Sequence, residues 1–115
     1  MVKRVFYIEK EKFLRSMFEL ALRAKKAEVY TVETLEDNFY LIEDLKPEVI
    51  IFDLESCQSA GPEAMEKLLS YSKTSHLVQT GVVGSENTVD PRVKSFLAKP
   101  IVAHNLAERV LSLID

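Results

Sequence analysis

Val49-Ile50-Ile51-Phe52-Asp53 is an apolar run that ends abruptly in a carboxylate, and Phe96-Leu97-Ala98-Lys99-Pro100 answers it far downstream with an ammonium. Each run is short, rich in β-branched or aromatic residues, and closes on a charged side chain. Buried parallel strands have that pattern when their carboxyl ends open onto a site. Two such ends in one sheet bring Asp53 and Lys99 together. In open α/β sheets the ligand crevice lies outside the carboxyl ends of the strands, so a carboxylate facing an ammonium there points to the handling of an anion such as phosphate.

Strand-like and helix-like segments alternate on either side of these two runs. Arg4-Val5-Phe6-Tyr7-Ile8 predicts a first strand, and Phe13, Leu14, Met17, Leu20, Ala21 and Ala24 recur at helical spacing after it. Glu28-Val29-Tyr30-Thr31-Val32 predicts a second strand. Thr34 followed by Asp37 gives an N-cap signal for a helix that buries Phe39, Ile42 and Leu45 before Pro47 stops it. Gly61-Pro62-Glu63 marks another helix start, with Pro in the first turn where its missing N–H costs nothing and Ala64, Met65, Leu68 and Leu69 inward. Leu77-Val78-Gln79-Thr80 is the fourth strand, and Ala103, Leu106, Ala107, Val110, Leu113 and Ile114 stripe a last helix running to the C-terminus. Between the fourth and fifth strands, residues 84–93 are short, polar and carry Pro91, so the fourth helix is expected to be one or two turns at most. Strands alternating with helices imply right-handed crossovers, hence an α/β, doubly wound parallel sheet covered on both faces.

At 115 residues there is room for one domain, 1–115, with one core. Lys and Arg number 15 against 18 for Asp and Glu, and a net charge of −3 gives no field for direct nucleic-acid binding. Met1-Val2-Lys3-Arg4 leads straight into a strand, and no apolar stretch approaches the roughly 18 residues of a membrane span, so a cytoplasmic protein is expected. Cys57 has no second cysteine to pair with and is read as an inert thiol. His76 precedes a strand and His104 starts a helix, so both are read as surface residues out of reach of Asp53 and Cys57.

The chain resembles, over essentially its whole length, the receiver domains of two-component response regulators, the family of the chemotaxis regulator. The resemblance is carried by Val49-Ile50-Ile51-Phe52-Asp53, by Thr80 and the small Gly81 after it, by Phe96, and by Lys99-Pro100. It implies a flavodoxin-like five-stranded sheet in the order 2-1-3-4-5 and a cis Lys99-Pro100 bond. It also implies a stand-alone response regulator in a two-component phosphorelay. A histidine kinase or phosphotransfer protein would place a phosphoryl group on Asp53, and a downstream effector would read the altered surface. That effector is expected on the face of Gly84 to Lys94, strand five and the last helix. The output is signalling rather than enzymatic turnover. The chemistry agrees residue by residue: a carboxylate can attack phosphorus in line to give an acyl phosphate. Lys99 is a compact charge that can pair with carboxylate and then with phosphate, Thr80 offers a hydroxyl, and Phe96 a ring that can turn inward. The bland alternatives are a structural Asp53–Lys99 ion pair, an ordinary strand threonine and a core phenylalanine.

One departure stands out. Receivers end strand one in two acidic residues that bind Mg²⁺ beside the phosphoacceptor, whereas this chain has Glu9-Lys10. The resemblance assigns metal ligation to Glu9, Asp53 and the backbone carbonyl of Glu55. Lys10 replaces the other acidic ligand, and an ammonium cannot coordinate a cation. Mg²⁺ binding is therefore expected to be weakened, with neutralisation passing to Lys10 and Lys99, unless Glu11 or the Glu55 side chain compensates. Glu9 is expected to be held by its neighbour Lys10. The rival reading is a pseudo-receiver that binds partners without phosphorylation. A flavodoxin-type carrier would need a hydroxyl- and glycine-rich phosphate loop where Glu9-Lys10-Glu11-Lys12 stands, and a hydrolase would need a base near its nucleophile.

Overall fold

The computed structural model describes residues 3–114. Its strands are β1 (Arg4–Ile8), β2 (Glu28–Val32), β3 (Val49–Asp53), β4 (His76–Val82) and β5 (Ser95–Lys99). Its helices are α1 (Lys12–Ala24), α2 (Phe39–Leu45), α3 (Leu54–Gln58), α4 (Pro62–Ser70) and α5 (Ala103–Ser112). The strands form a five-stranded sheet, parallel throughout, in the order β2-β1-β3-β4-β5. This is the flavodoxin-like doubly wound arrangement. A single 3₁₀ turn, Glu86–Thr88, stands between β4 and β5.

Period-two alternation along β1, β3 and β4 sorts the apolar side chains into two cores, because both faces of the central strands are covered. Val5, Tyr7, Val49, Ile51 and Val78 pack with Phe18 and Leu22 of α1 and with Leu106, Ala107, Val110 and Leu111 of α5. Phe6, Ile8, Ile50, Phe52 and Leu77 pack on the other face with Ile42, Cys57 and Leu68. Asp53 is the register partner of Thr80. It continues the Val49-Ile51 alternation, so both polar groups lie at the carboxyl end of the α1/α5 face. Arg92 fastens the β4–β5 connection to α4. Its guanidinium donates to both Glu66 carboxylate oxygens at 2.7 and 3.0 Å and to Asp90 at 2.9 and 3.1 Å.

Several local expectations are corrected. On α1 the buried line runs through Leu14, Met17, Phe18, Ala21 and Leu22, while Phe13 and Leu20 are 72% and 70% exposed and Ala24 is exposed. At about 100° per residue Leu20 lies roughly 160° round the helix from Phe18, so both sets satisfy three-and-four spacing and only one can face the sheet. Thr34 and Asp37 do not cap α2. The helix starts at Phe39 after Asn38, whose side-chain amide donates to the carbonyls of Thr34 and Glu36 at 2.8 and 3.0 Å and closes a turn pinned by the buried Leu35. The five residues after β3, for which the sequence pattern named no element, form α3, so Glu55 lies in a helix. β4 extends beyond Thr80 to Val82, and α5 ends at Ser112, short of the chain end.

The two α1 lines give a direct check. Leu22→Ala is expected to lower the unfolding free energy by about 2–5 kcal/mol, because it empties a fully packed position. Leu20→Ala is expected to change it by no more than about 0.5 kcal/mol, because its side chain already meets water. Urea unfolding followed by circular dichroism measures both.

Candidate functional site

The site begins where β3 turns directly into α3. Asp53 has extended backbone angles and is the N-cap of α3. Its Oδ2 accepts hydrogen bonds from the Ser56 backbone N–H at 3.0 Å and the Ser56 hydroxyl at 2.6 Å. Its Oδ1 lies 3.1 Å from the Lys99 Nζ. The same ammonium donates to Glu9 Oε1 at 2.7 Å, and Glu9 is fully buried. Glu9 Oε2 accepts the Glu11 backbone N–H at 3.1 Å, and the Tyr7 hydroxyl donates to Oε1 at 3.5 Å. Lys99 thus joins two carboxylates from the ends of β1 and β3. Burial works against its charge, but hydrogen bonds to Glu9 and Asp53 outweigh that and hold its pKa above the ordinary lysine value. Burial first, then the charges of Glu9 and Asp53, push the Tyr7 hydroxyl far above the tyrosine range, so it stays a protonated donor.

Lys10 does not hold Glu9. Its Nζ donates to Glu55 Oε1 at 2.6 Å across an exposed gap, which keeps the ammonium pKa raised. Its backbone N–H donates to the Ser56 hydroxyl oxygen at 2.9 Å. Arg15 braces this turn by donating to the carbonyls of Glu9 and Lys10 at 2.6 and 2.9 Å. The expectation that Lys10 pairs with Glu9 fails on reach: Glu9 points under the sheet end toward Lys99, while Lys10, next in sequence, projects to the surface.

Thr80 is fully buried and its Oγ1 has no hydrogen-bond partner. Gly81 follows, and a Cβ there would come within 3.0 Å of Ser85 Oγ and 3.3 Å of the half-buried Phe96 ring. The small residue therefore gives the ring its room. A cavity of about 310 Å³ opens here, lined by Asp53, Glu55, Gln58, Gly81, Thr88 and Lys99 among others, which is ample for a phosphate-sized anion. The Lys99-Pro100 bond is cis.

As they stand, these residues do not fit a divalent cation. The facing oxygens of Glu9 and Asp53 are bridged by the Lys99 ammonium, their other oxygens take N–H and O–H donors, and the Glu55 side chain holds Lys10. Among the described residues no cluster of three His, Cys, Asp or Glu side chains is arranged to hold a metal. Cys57 is buried and its thiol is pushed up to about 12 by burial and by the Asp53 and Glu9 charges, so it is protonated at neutral pH. His76 starts β4 at the opposite end of the sheet, and His104 on α5 is exposed and paired with Glu108. Sequence reasoning missed Ser56. The available signal was its place three residues after an aspartate at a helix start, where N-caps find their N–H partner.

The fold is shared with solved structures. A CheY-like response regulator receiver domain protein from Methanospirillum hungatei superposes with a TM-score of 0.83 at 16% identity, covering 100% of this chain and 95% of that one. The chemotaxis response regulator CheY4 of Vibrio cholerae gives 0.80 at 16% identity over 98% and 99%. An orphan response regulator of H. pylori gives 0.79 at 18% identity over 98% and 97%. No protein-family model and no curated protein matches the chain. At these identities the likeness is one of fold: the chain has the receiver-domain architecture. No helix among the described residues is long and apolar enough to cross a membrane.

Lys99 pairs with two buried carboxylates at once. Lys99→Ala is expected to destabilise the protein by roughly 3–5 kcal/mol, because it strands buried charge. Adding Glu9→Gln should recover part of that loss by removing one of the stranded charges. Chemical denaturation of the single and double variants measures both steps.

Proposed function

We propose that the chain is a receiver module of two-component signalling that accepts a phosphoryl group on Asp53 and signals by binding another protein. The observation that carries this reading is the meeting of Asp53 and Lys99 at the mouth of a phosphate-sized cavity, at the carboxyl ends of parallel strands. The donor would be a phosphohistidine of a histidine kinase or phosphotransfer protein. An Asp53 oxygen forms the new bond to phosphorus as the bond from phosphorus to the imidazole nitrogen breaks. The imidazole leaves with the electron pair and takes up a proton. Attack by a carboxylate paired with an ammonium calls for no general base.

Three groups supply the rest. The Lys99 ammonium moves from the carboxylate toward the phosphoryl oxygens and neutralises charge that develops there. The Thr80 hydroxyl, now without a partner, gains one in a phosphoryl oxygen, and the pull on this strand end is a route by which the Phe96 ring beside Gly81 changes place. Such a shift alters the β4–β5 surface, where an effector would dock. No step runs through a metal. The output is recognition rather than turnover, and the partners are proteins.

A second reading is favoured by the Ser56 bonds to Asp53 and the Lys10–Glu55 bridge. Together they tie up Asp53 Oδ2 and the Lys10 ammonium at rest, as in a pseudo-receiver that binds partners without phosphorylation. Intact-mass measurement after incubation with acetyl phosphate separates the two. The parent is expected to gain a phosphoryl mass with EDTA present as readily as with Mg²⁺, and Asp53→Asn to gain none. A parent that gains no mass under any metal condition, or an Asn variant that gains it as fast, overturns the first reading.

Lys10 gives a separate test. Mg²⁺ titration of the parent, followed by amide shifts, is expected to show no saturation at low millimolar concentration. Lys10→Asp removes a positive charge and supplies a ligand beside Glu9 and Asp53, so saturation should appear there. Saturable low-millimolar binding by the parent would show that Glu11 or Glu55 completes a metal site.

A further inference from the structure

The two oxygens of Asp53 are not equivalent. Oδ2 receives both donors of Ser56, the N–H at 3.0 Å and the hydroxyl at 2.6 Å, whereas Oδ1 meets only the Lys99 ammonium at 3.1 Å. A carboxylate oxygen offers two in-plane acceptor positions, so Oδ2 is filled and Oδ1 keeps one free. The hydroxyl is itself directed. Ser56 is 4% exposed, and its Oγ accepts the Lys10 backbone N–H at 2.9 Å, so its one proton is left for Asp53. A chain of bonds thus runs from the end of β1 through Ser56 to the carboxylate at the end of β3.

We infer that Ser56 is a positioning residue for phosphoryl transfer, committing Oδ2 of Asp53 to the fold and leaving Oδ1 as the reacting oxygen. The inference rests on Asp53 being the phosphoacceptor. The terminal torsion of an aspartate is soft and roughly two-fold, so the carboxylate plane is fixed by its partners and not by its own rotamer. With an acyl phosphate as donor, the Oδ1–P bond forms while the P–O bond to the acyl group breaks, and the carboxylate of the donor leaves with the electron pair. Oδ2 becomes the carbonyl oxygen of the aspartyl phosphate and still accepts both Ser56 donors. The bonds that aim the nucleophile therefore survive the reaction, and only Lys99 has to move.

The test compares the parent with Ser56→Ala, Ser56→Thr and Asp53→Asn in acetyl phosphate and EDTA, with phosphoryl gain followed by intact mass and folding checked by circular dichroism. A small misplacement of the attacking atom costs on the order of a hundredfold. Ser56→Ala is expected to slow the gain by about 10- to 100-fold, and Ser56→Thr, which keeps the hydroxyl, to restore most of it. The ¹³C signal of the Asp53 carboxylate should move in Ser56→Ala and stay near the parent position in Ser56→Thr. Should the alanine variant not fold, Ser56→Cys keeps the size with a weak donor and is expected to be slowed in its place. A folded Ser56→Ala that reacts as fast as the parent, or an unmoved ¹³C signal, overturns the role of Ser56. A parent that gains no mass in EDTA or in Mg²⁺ overturns the phosphoacceptor reading itself, and this inference falls with it.

Discussion

The end of the sheet is organised by one buried ammonium. Lys99 reaches from β5 to Glu9 at 2.7 Å and Asp53 at 3.1 Å, and these carboxylates are almost fully removed from water. Taking two carboxylates out of water is costly, and the shared ammonium offsets that cost for both. The three strand ends are consequently coupled. β1 and β3 are neighbours in register, but β5 is separated from β3 by β4, and the lysine spans that strand. Any event that draws Lys99 away from the carboxylates changes how the ends of β1, β3 and β5 are held. A phosphoryl group on Asp53 would be such an event.

Asp53 is asked to do two things by its position. It caps α3, a helix of five residues too short to persist on its own, and it faces the cavity, where the proposed function makes it the nucleophile. The roles are compatible only because they fall on different oxygens. Ser56 supplies two donors to one of them, and the backbone of Lys10 holds Ser56 in turn.

The fold was legible because its signals are periodic and redundant. Val49 to Asp53 and Phe96 to Lys99 are read as strands by composition alone, though only β3 is buried throughout and the edge strand β5 is half-buried, and alternation with helical stripes leaves little choice but a parallel sheet with right-handed crossovers. The short β4–β5 connection was legible too, since Pro91 and a polar run cannot sustain a helix. What was not legible is local and competitive. On α1 two apolar lines share the same spacing, and only packing against β1 and β3 selects Phe18 and Leu22 over Phe13 and Leu20. Thr34 is an acceptable cap in sequence, but burial of Leu35 and a turn closed by Asn38 move the helix start downstream. At the site, the strand ends foretold that Asp53 and Lys99 meet. Ser56 escaped notice because a serine in a polar segment carries no signal until the helix that Asp53 caps is known.

Charge sets the remaining constraint. The buried group of Glu9, Asp53 and Lys99 carries one net negative charge, and a phosphoryl group adds about −1.5 to −2 more in place of the aspartate charge. Lys99 alone cannot balance that. An acidic residue at position 10 would deepen the deficit and make a divalent cation indispensable, whereas Lys10 adds a positive charge at the mouth of the site. Asp53 already contributes to the raised pKa of the Lys10 ammonium, so the two charges sense each other across the Ser56 turn. Lys10 is held at rest by Glu55 in an exposed bridge, the kind of pair worth little in water and readily exchanged for a stronger anion. On the proposed reading, Lys10 supplies a cation at the position where a receiver would carry an acidic ligand, and the pocket would neutralise a phosphoryl group with two lysines.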